Sequence, residues 1–447
     1  MKRTPGLLEV SERAYAMPQE GKAVRRDGAA AVSFVLGPVL FAFLCWVIRR
    51  AGQLGWRRLY FLSRDGYLMC EMARRICRKR NIPIECRYLY ASRFAWRIPE
   101  QDLAGEKAFL DRICRNGMEV SFSGLMKRAG LTEEEGRRIA ALLRPQKGYD
   151  GVLSGKEIRA LRLPLAECME FRRLASLHAG RTHANAVAYL KQEGLLEEIP
   201  YGIVDSGWIG SMQESLNNLL HSAGKREGVQ GCYFGLYDLP KGAKEEDYHA
   251  FYFSPGLGIG KKARFSNCLF ECVFTAPQGM TIGYENNGIR MIPKRTERAE
   301  EDRRRIEEMR DWFFSYMDAM EELWEERLWA EGEKLDVFPL LKSLMSAPSR
   351  EESLFFGSLS FSDDTTEERM RPLAARLSQG QLFAQHLIPR ILLETLGKTR
   401  KESGWMEGTV RLYGGRLYAW HRAETLFYKY LLYAGMQGRY RKRRKAV

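Results

Sequence analysis

Two short polar stretches hold the residues best suited to chemistry: Ser63-Arg64-Asp65-Gly66, and Asp205-Ser206-Gly207-Trp208-Ile209-Gly210-Ser211. In the first, the Asp65 carboxylate can hold Mg²⁺ or exchange a proton. Arg64 can fork onto a phosphate, and Gly66 lets the backbone come close to a ligand. In the second, Asp205 supplies another carboxylate, Gly207 and Gly210 free the backbone, and Ser206 and Ser211 offer hydroxyls beside a helix start. Together these types describe a site for a phosphate group.

Positioning them requires two copies of one architecture. Leu59–Leu62 is a short apolar run that suits a buried parallel strand. Tyr67–Cys77 then carries Leu68, Met69, Met72, Ala73 and Ile76 at helical spacing. Downstream, Tyr201–Asp205 reads as a strand ending in the acid, and Met212–Leu220 opens a helix. If both strands are parallel and central, both loops open on one sheet edge, with helix N-termini presenting N–H groups to an anion. The plainer alternative is that each acid and serine merely caps its own helix. A further strand, Ile84–Leu89, brings Ser92 and Arg93 to the same edge, where Arg93 serves a phosphate or a surface ion pair. Glu271 interrupts the apolar run Cys268–Phe274, and a carboxylate there needs a partner or a task. Gln278-Gly279 follows and can line the same crevice.

The chain has 447 residues, enough for one complex or two moderate domains, and a net charge of +15. That charge favours phosphorylated substrates, acidic membrane surfaces or nucleic acid. No RRM, KH, zinc-finger or helix-turn-helix signature supports nucleic acid. The nine cysteines follow no paired framework and no signal peptide opens the chain, which points to a reducing cytoplasm. The six histidines show no metal spacing, and no G-x-S-x-G elbow is present. Ser254–Lys262 (SPGLGIGKK) departs from a Walker loop, because no Ser or Thr follows Lys261 and Pro255 stands where a glycine is required.

The expected class is α/β, a mostly parallel sheet with a large helical insertion and a helical C-terminal region. Its parts are a basic arm (1–28), two halves of the α/β core (29–98 and 199–293), a cap-like insertion (99–198), a helical region (294–438) and a basic tail (439–447). Ala29–Ile48 is uncharged for twenty residues, so it can span a membrane or lie buried against the sheet. Matching arginine pairs (Arg25-Arg26, Arg49-Arg50) and a central Gly37-Pro38 favour burial. The helical region includes Arg303–Glu326, Phe338–Leu344, Met370–Leu377, Gln381–Leu396 and Trp420–Gly435. The tail holds six basic residues in Arg439–Lys445 and is expected to be solvated and disordered.

Five segments in order, LYFLSRDGY, YLYASR, VDSGWIGS, FECVFTAPQGMTIGY and Trp405–Thr409, resemble a group of bacterial predicted hydrolases of the haloacid dehalogenase superfamily, often found with surface-polysaccharide genes. The resemblance implies a Rossmann-like α/β core, a cytoplasmic location and a role around phosphorylated sugars or cell-surface glycan assembly. With the loop residues it leads to a phosphate-handling protein acting on a phosphorylated sugar or nucleotide-sugar in cell-surface polysaccharide biosynthesis. Mg²⁺ is expected on Asp65 and Asp205 from the paired loops, and Asp65, Asp205, Ser63 and Glu271 are the candidate catalytic residues. The candidate phosphate-binding set is Arg64, Gly66, Tyr67, Ser92, Arg93, Ser206, Gly207, Trp208, Gly210, Ser211 and Gln278. The group carries an Asp-x-Asp nucleophile in an N-terminal domain that this sequence is expected to begin after. Within LYFLSRDGY the nucleophile's place falls on Ser63, which does not form the usual acyl-phosphate, and Asp65 takes the acid/base slot. The alternatives are a catalytically degenerate partner of a glycan-assembly complex, docked on an anionic membrane by its tail, or a phosphoribosyltransferase-like enzyme. For the latter the likeness is partial, since Ser-Gly-Trp follows Asp205 in place of a second acid.

Overall fold

A computed structural model describes residues 4–17, 26–117, 119–362 and 370–445. Arg25 of the flanking pair and residues 446–447 of the tail lie outside the described residues. Five strands, β1 (Arg58–Leu62), β2 (Glu85–Leu89), β3 (Tyr201–Trp208), β4 (Gln230–Leu236) and β5 (Tyr248–Phe253), form one sheet in the order β2-β1-β3-β4-β5. Every pairing is parallel, so the protein is Rossmann-like α/β. The sheet grows outward from β1 to β2, then restarts on β1's other side with β3. That reversal opens a crevice at the carboxyl ends of β1 and β3.

Both faces of β1 are covered, which is why the strand reads as an unbroken apolar run. Leu59 and Phe61 pack into a core shared with the Gly66–Lys79 helix, while Tyr60 and Leu62 face Tyr189, Leu190 and Leu216. Burying each such side chain contributes on the order of 1.5–3 kcal/mol. Between β2 and β3 the chain is helical, from Arg93–Arg97 through Met169–Gln192, and carries its own core around Phe122, Leu125, Ile139 and Phe171. Beyond the sheet, β6 (Thr281–Asn286) and β7 (Met291–Arg295) form an antiparallel hairpin. The C-terminal region is helical, from Glu300–Glu322 to Tyr418–Lys445.

The Asp27–Gln53 helix is long and apolar enough to cross a membrane, yet 83% of its most apolar window is buried inside the fold. Gly37 shows how tightly: a Cβ there would sit 2.6 Å from the Tyr316 ring.

Several local expectations need correction. The basic arm contains a helix, Pro5–Ala16, whose Leu7, Val10 and Ala14 are buried at helical spacing. The basic tail does not leave the surface: the last helix continues to Lys445, with Tyr440 buried. Arg441 donates to the Gly256 carbonyl, Arg443 pairs with Asp238, and Arg444 reaches Glu245 at 3.0 Å. Acids on the β4–β5 connection therefore order a run that composition alone reads as solvated. Met370–Leu377 is not a helix. Arg371–Pro372 pairs with Ser360–Phe361, and Pro372 biases its predecessor toward extended backbone. The helix expected over Arg303–Glu326 ends at Glu322, and the next begins only at Glu326. β3 runs past Asp205 to Trp208, so half of the expected loop is strand.

Candidate functional site

A cavity of about 200 Å³ lies at the carboxyl ends of β1 and β3. Ser63, Arg64 and Asp65 line one side, Asp205 to Ile209 and Ser211 the other, with Ser92, Arg93 and Glu271 between them. The volume is below the 300–1,000 Å³ or so usual for drug-sized ligands, which suits a small polar group. The two stretches touch: Ser206 Oγ donates to Asp65 Oδ2 at 2.5 Å across 141 residues of chain. Local chemistry makes this approach feasible. Gly66 starts its helix so close to β1 that a Cβ would lie 2.8 Å from the Phe61 carbonyl carbon. Gly207, at φ +107°, would place a Cβ 2.6 Å from the Gly235 oxygen. Trp208 is left-handed at φ +69°, a conformation costly for a bulky residue. Its surroundings hold it there: Nε1 donates to Glu271 Oε1 at 2.5 Å, and the ring packs on Phe265 and Phe270. Glu271 thus has its partner, on the Asn267–Phe274 helix.

Burial raises the Asp65 carboxyl to about 6; the neighbouring Asp205 charge adds to this, while the Ser206 hydroxyl, Arg64 and Arg93 oppose it. Burial also lifts Asp205 to about 7, helped by Glu271 and opposed by the Ser206 and Gly207 backbone N–H groups and by Arg93. Two adjoining carboxyls that exchange protons near neutral pH can serve as acid and base. Among the described residues no three His, Cys, Asp or Glu side chains gather to hold a metal alone. Mg²⁺ commonly takes one or two carboxylates and completes its shell with water and phosphate, and Asp65 with Asp205 fits that pattern.

No family model matches this chain, and no curated protein matches it.

Of the residues in the candidate catalytic and phosphate-binding sets, four do not line the cavity. Gly66 serves helix–strand packing. Tyr67 sets its ring edge against Tyr88, 5.8 Å between centroids. Gly210, at φ +68°, turns the chain into the Ser211–Ser222 helix. Gln278 donates to the Tyr88 hydroxyl and borders a separate recess beside Arg295 and Arg303. Two others reach the cavity already engaged. Ser92 caps the Arg93–Arg97 helix by accepting from the Ala95 N–H, and it donates to the Thr281 carbonyl. Ser63 Oγ donates to the Ala91 carbonyl at 2.5 Å and accepts the Ala91 N–H at 2.8 Å. Its hydroxyl ties β1 to the end of β2, and its proton points at backbone.

Sequence reasoning missed three lining arginines: Arg97, Arg115 and Arg298. Arg97 had a signal, lying one helical turn after Arg93. Arg115 and Arg298 come from the insertion and the start of the C-terminal region, and nothing local marks them.

Proposed function

We propose that the crevice binds the phosphate of a phosphorylated sugar or nucleotide-sugar and that the protein is a hydrolase or phosphotransfer enzyme of cell-surface polysaccharide synthesis. The Ser206–Asp65 hydrogen bond carries this reading, because it joins two acid-and-glycine segments into one pocket at the sheet's switch point. Arg64 and Arg93 bind phosphate oxygens, with the Gly207 backbone alongside. With Ser63 occupied at Ala91, water is the attacking group. One of the two carboxylates takes the water's proton as the new P–O bond forms. The other, protonated, gives its proton to the leaving oxygen as the old P–O bond breaks. In a metal-bound state both Asp65 and Asp205 would instead be ionised and would hold Mg²⁺, which would offset charge on the phosphate oxygens. The resemblance to haloacid dehalogenase-type proteins supports the substrate class and a cytoplasmic setting.

The test is a screen of sugar phosphates and nucleotide-sugars, with and without Mg²⁺, read as released product and as thermal shift. Turnover in the wild type that falls at least about a hundredfold in Asp65→Asn and Asp205→Asn agrees with the usual size of acid–base contributions. No response in the wild type, or equal responses in the variants, refutes the proposal.

A further inference from the structure

The arginine wall of the crevice continues beyond it. A second recess, about 90 Å³, opens between the Arg93–Arg97 and Glu106–Ile113 helices and is lined by Arg93, Arg97, Arg112, Arg115 and Arg128. Arg93, Arg97 and Arg115 border both spaces, so the two adjoin across these three side chains. Only Arg112 of Arg93, Arg97, Arg112 and Arg115 forms an ion pair among the described residues. Arg112 pairs with Glu100 and, at 3.2 Å, with Glu214. Arg128 directs Nη1 to the carbonyls of Ile113 and Arg115. Arg97 donates one Nη2 bond to Ser211 Oγ at 2.8 Å, and its enclosed Nε has no hydrogen-bond partner among the described residues. Arg93 and Arg115 are exposed, and neither forms an ion pair among the described residues. Burial and the neighbouring Arg93, Arg115 and Arg112 guanidinium groups push Arg97 well below its ordinary range. Like charges gathered this way raise the energy of the empty protein, and an anion between them relieves it. Forked guanidinium groups suit phosphate oxygens in particular.

We infer that this recess is a second anion subsite, so that the ligand carries two neighbouring phosphates, as a diphosphate ester or a bisphosphate. The inference rests on the phosphate reading of the crevice: one phosphate sits beside Asp65 and Asp205, the other against Arg97 and Arg115, with Arg93 between. It narrows the substrate class from phosphorylated sugars at large to those bearing a diphosphate or two close phosphates.

The full chain is titrated by calorimetry with inorganic pyrophosphate and with inorganic phosphate at one fixed ionic strength, because surface cation binding is screened by salt. Pyrophosphate is expected to bind about tenfold or more tightly than phosphate. Arg115→Ala should weaken pyrophosphate by about tenfold and phosphate by less than about twofold. Arg115→Lys, which keeps the charge, should recover part of the pyrophosphate loss and guards against a folding defect in the alanine variant. Equal affinity for the two anions, or equal weakening of both by Arg115→Ala, overturns the second subsite and leaves the crevice reading standing. Pyrophosphate binding that Arg115→Ala weakens and Arg64→Ala leaves unchanged keeps the arginine subsite and removes the crevice from it. No binding of either anion to the wild type overturns both.

Discussion

The two ends of β1 treat buried charge in opposite ways. At the amino end, the Arg58 side chain is 5% exposed and paired with two acids. Its Nε donates to Glu85 Oε2 at 2.5 Å, and Nη1 reaches Glu197 Oε2 at 2.7 Å and the Tyr60 hydroxyl at 3.2 Å. Burial works against that charge, yet the bonds from Glu197, Glu85 and Tyr60 outweigh it and raise the Arg58 pKa. At the carboxyl end, Asp65 and Asp205 accept hydrogen bonds from neutral donors, and burial raises both. Arg93 and Arg115 stand nearby without ion pairs among the described residues. At one end Arg58 is held between Glu85 and Glu197; at the other, acids and arginines share the lining of one cavity. That contrast supports the proposal that the carboxyl end of the sheet receives a ligand.

Four changes break or sharpen the contrast. Arg58→Met should have the largest effect on stability, about 3 kcal/mol in urea unfolding, at the low end of the range for breaking a buried pair because Glu85 and Glu197 are half-exposed. A loss below about 1 kcal/mol would mean the amino-end network is not structural. Asp205→Asn and Asp65→Asn should behave in the opposite way. Each should leave stability unchanged or raise it by up to about 1 kcal/mol, since the amide avoids the desolvation of a carboxylate, while the response to phosphate ligands collapses. Destabilisation of about 2 kcal/mol or more in either would place these acids with Arg58 as structural groups.

The third change is in pH. Asp65 and Asp205 have folded pKa values of about 6 and 7 against an ordinary 3.8, so the folded state holds their protons more firmly than the unfolded chain does. Their contribution to stability is fully present below about pH 4 and is lost as pH rises through 6 to 7. Thermal midpoints of the wild type should therefore fall relative to those of the Asp65→Asn/Asp205→Asn double variant between pH 4 and 8. Parallel curves would contradict the raised values. The smallest effect is expected for Trp208→Phe, which removes the donor to Glu271 and should cost about 1 kcal/mol by denaturant unfolding.

Much of this arrangement was legible in the sequence because it is local. Leu59–Leu62 and Tyr201–Asp205 announce buried strands, and polar, glycine-bearing turns follow each. Parallel topology then brings the turns to one edge. What was not legible depends on distant partners. Asp238 and Glu245 order a tail that reads as disordered from its charge. Ser63 is consumed by the Ala91 backbone, which its strand-end position did not disclose. Tyr67 and Gln278 both turn to Tyr88 and away from the cavity. Arg115 and Arg298 reach the site only through the path of whole helices, for which no sequence motif exists.

The most direct test of convergence is a crystal of the protein soaked in inorganic phosphate. Density for a phosphate between Arg64, Asp65 and the Asp205–Gly207 backbone is the expected result. A crevice without phosphate under conditions that load other surface arginines, or phosphate confined to sites away from both strand ends, would contradict the account.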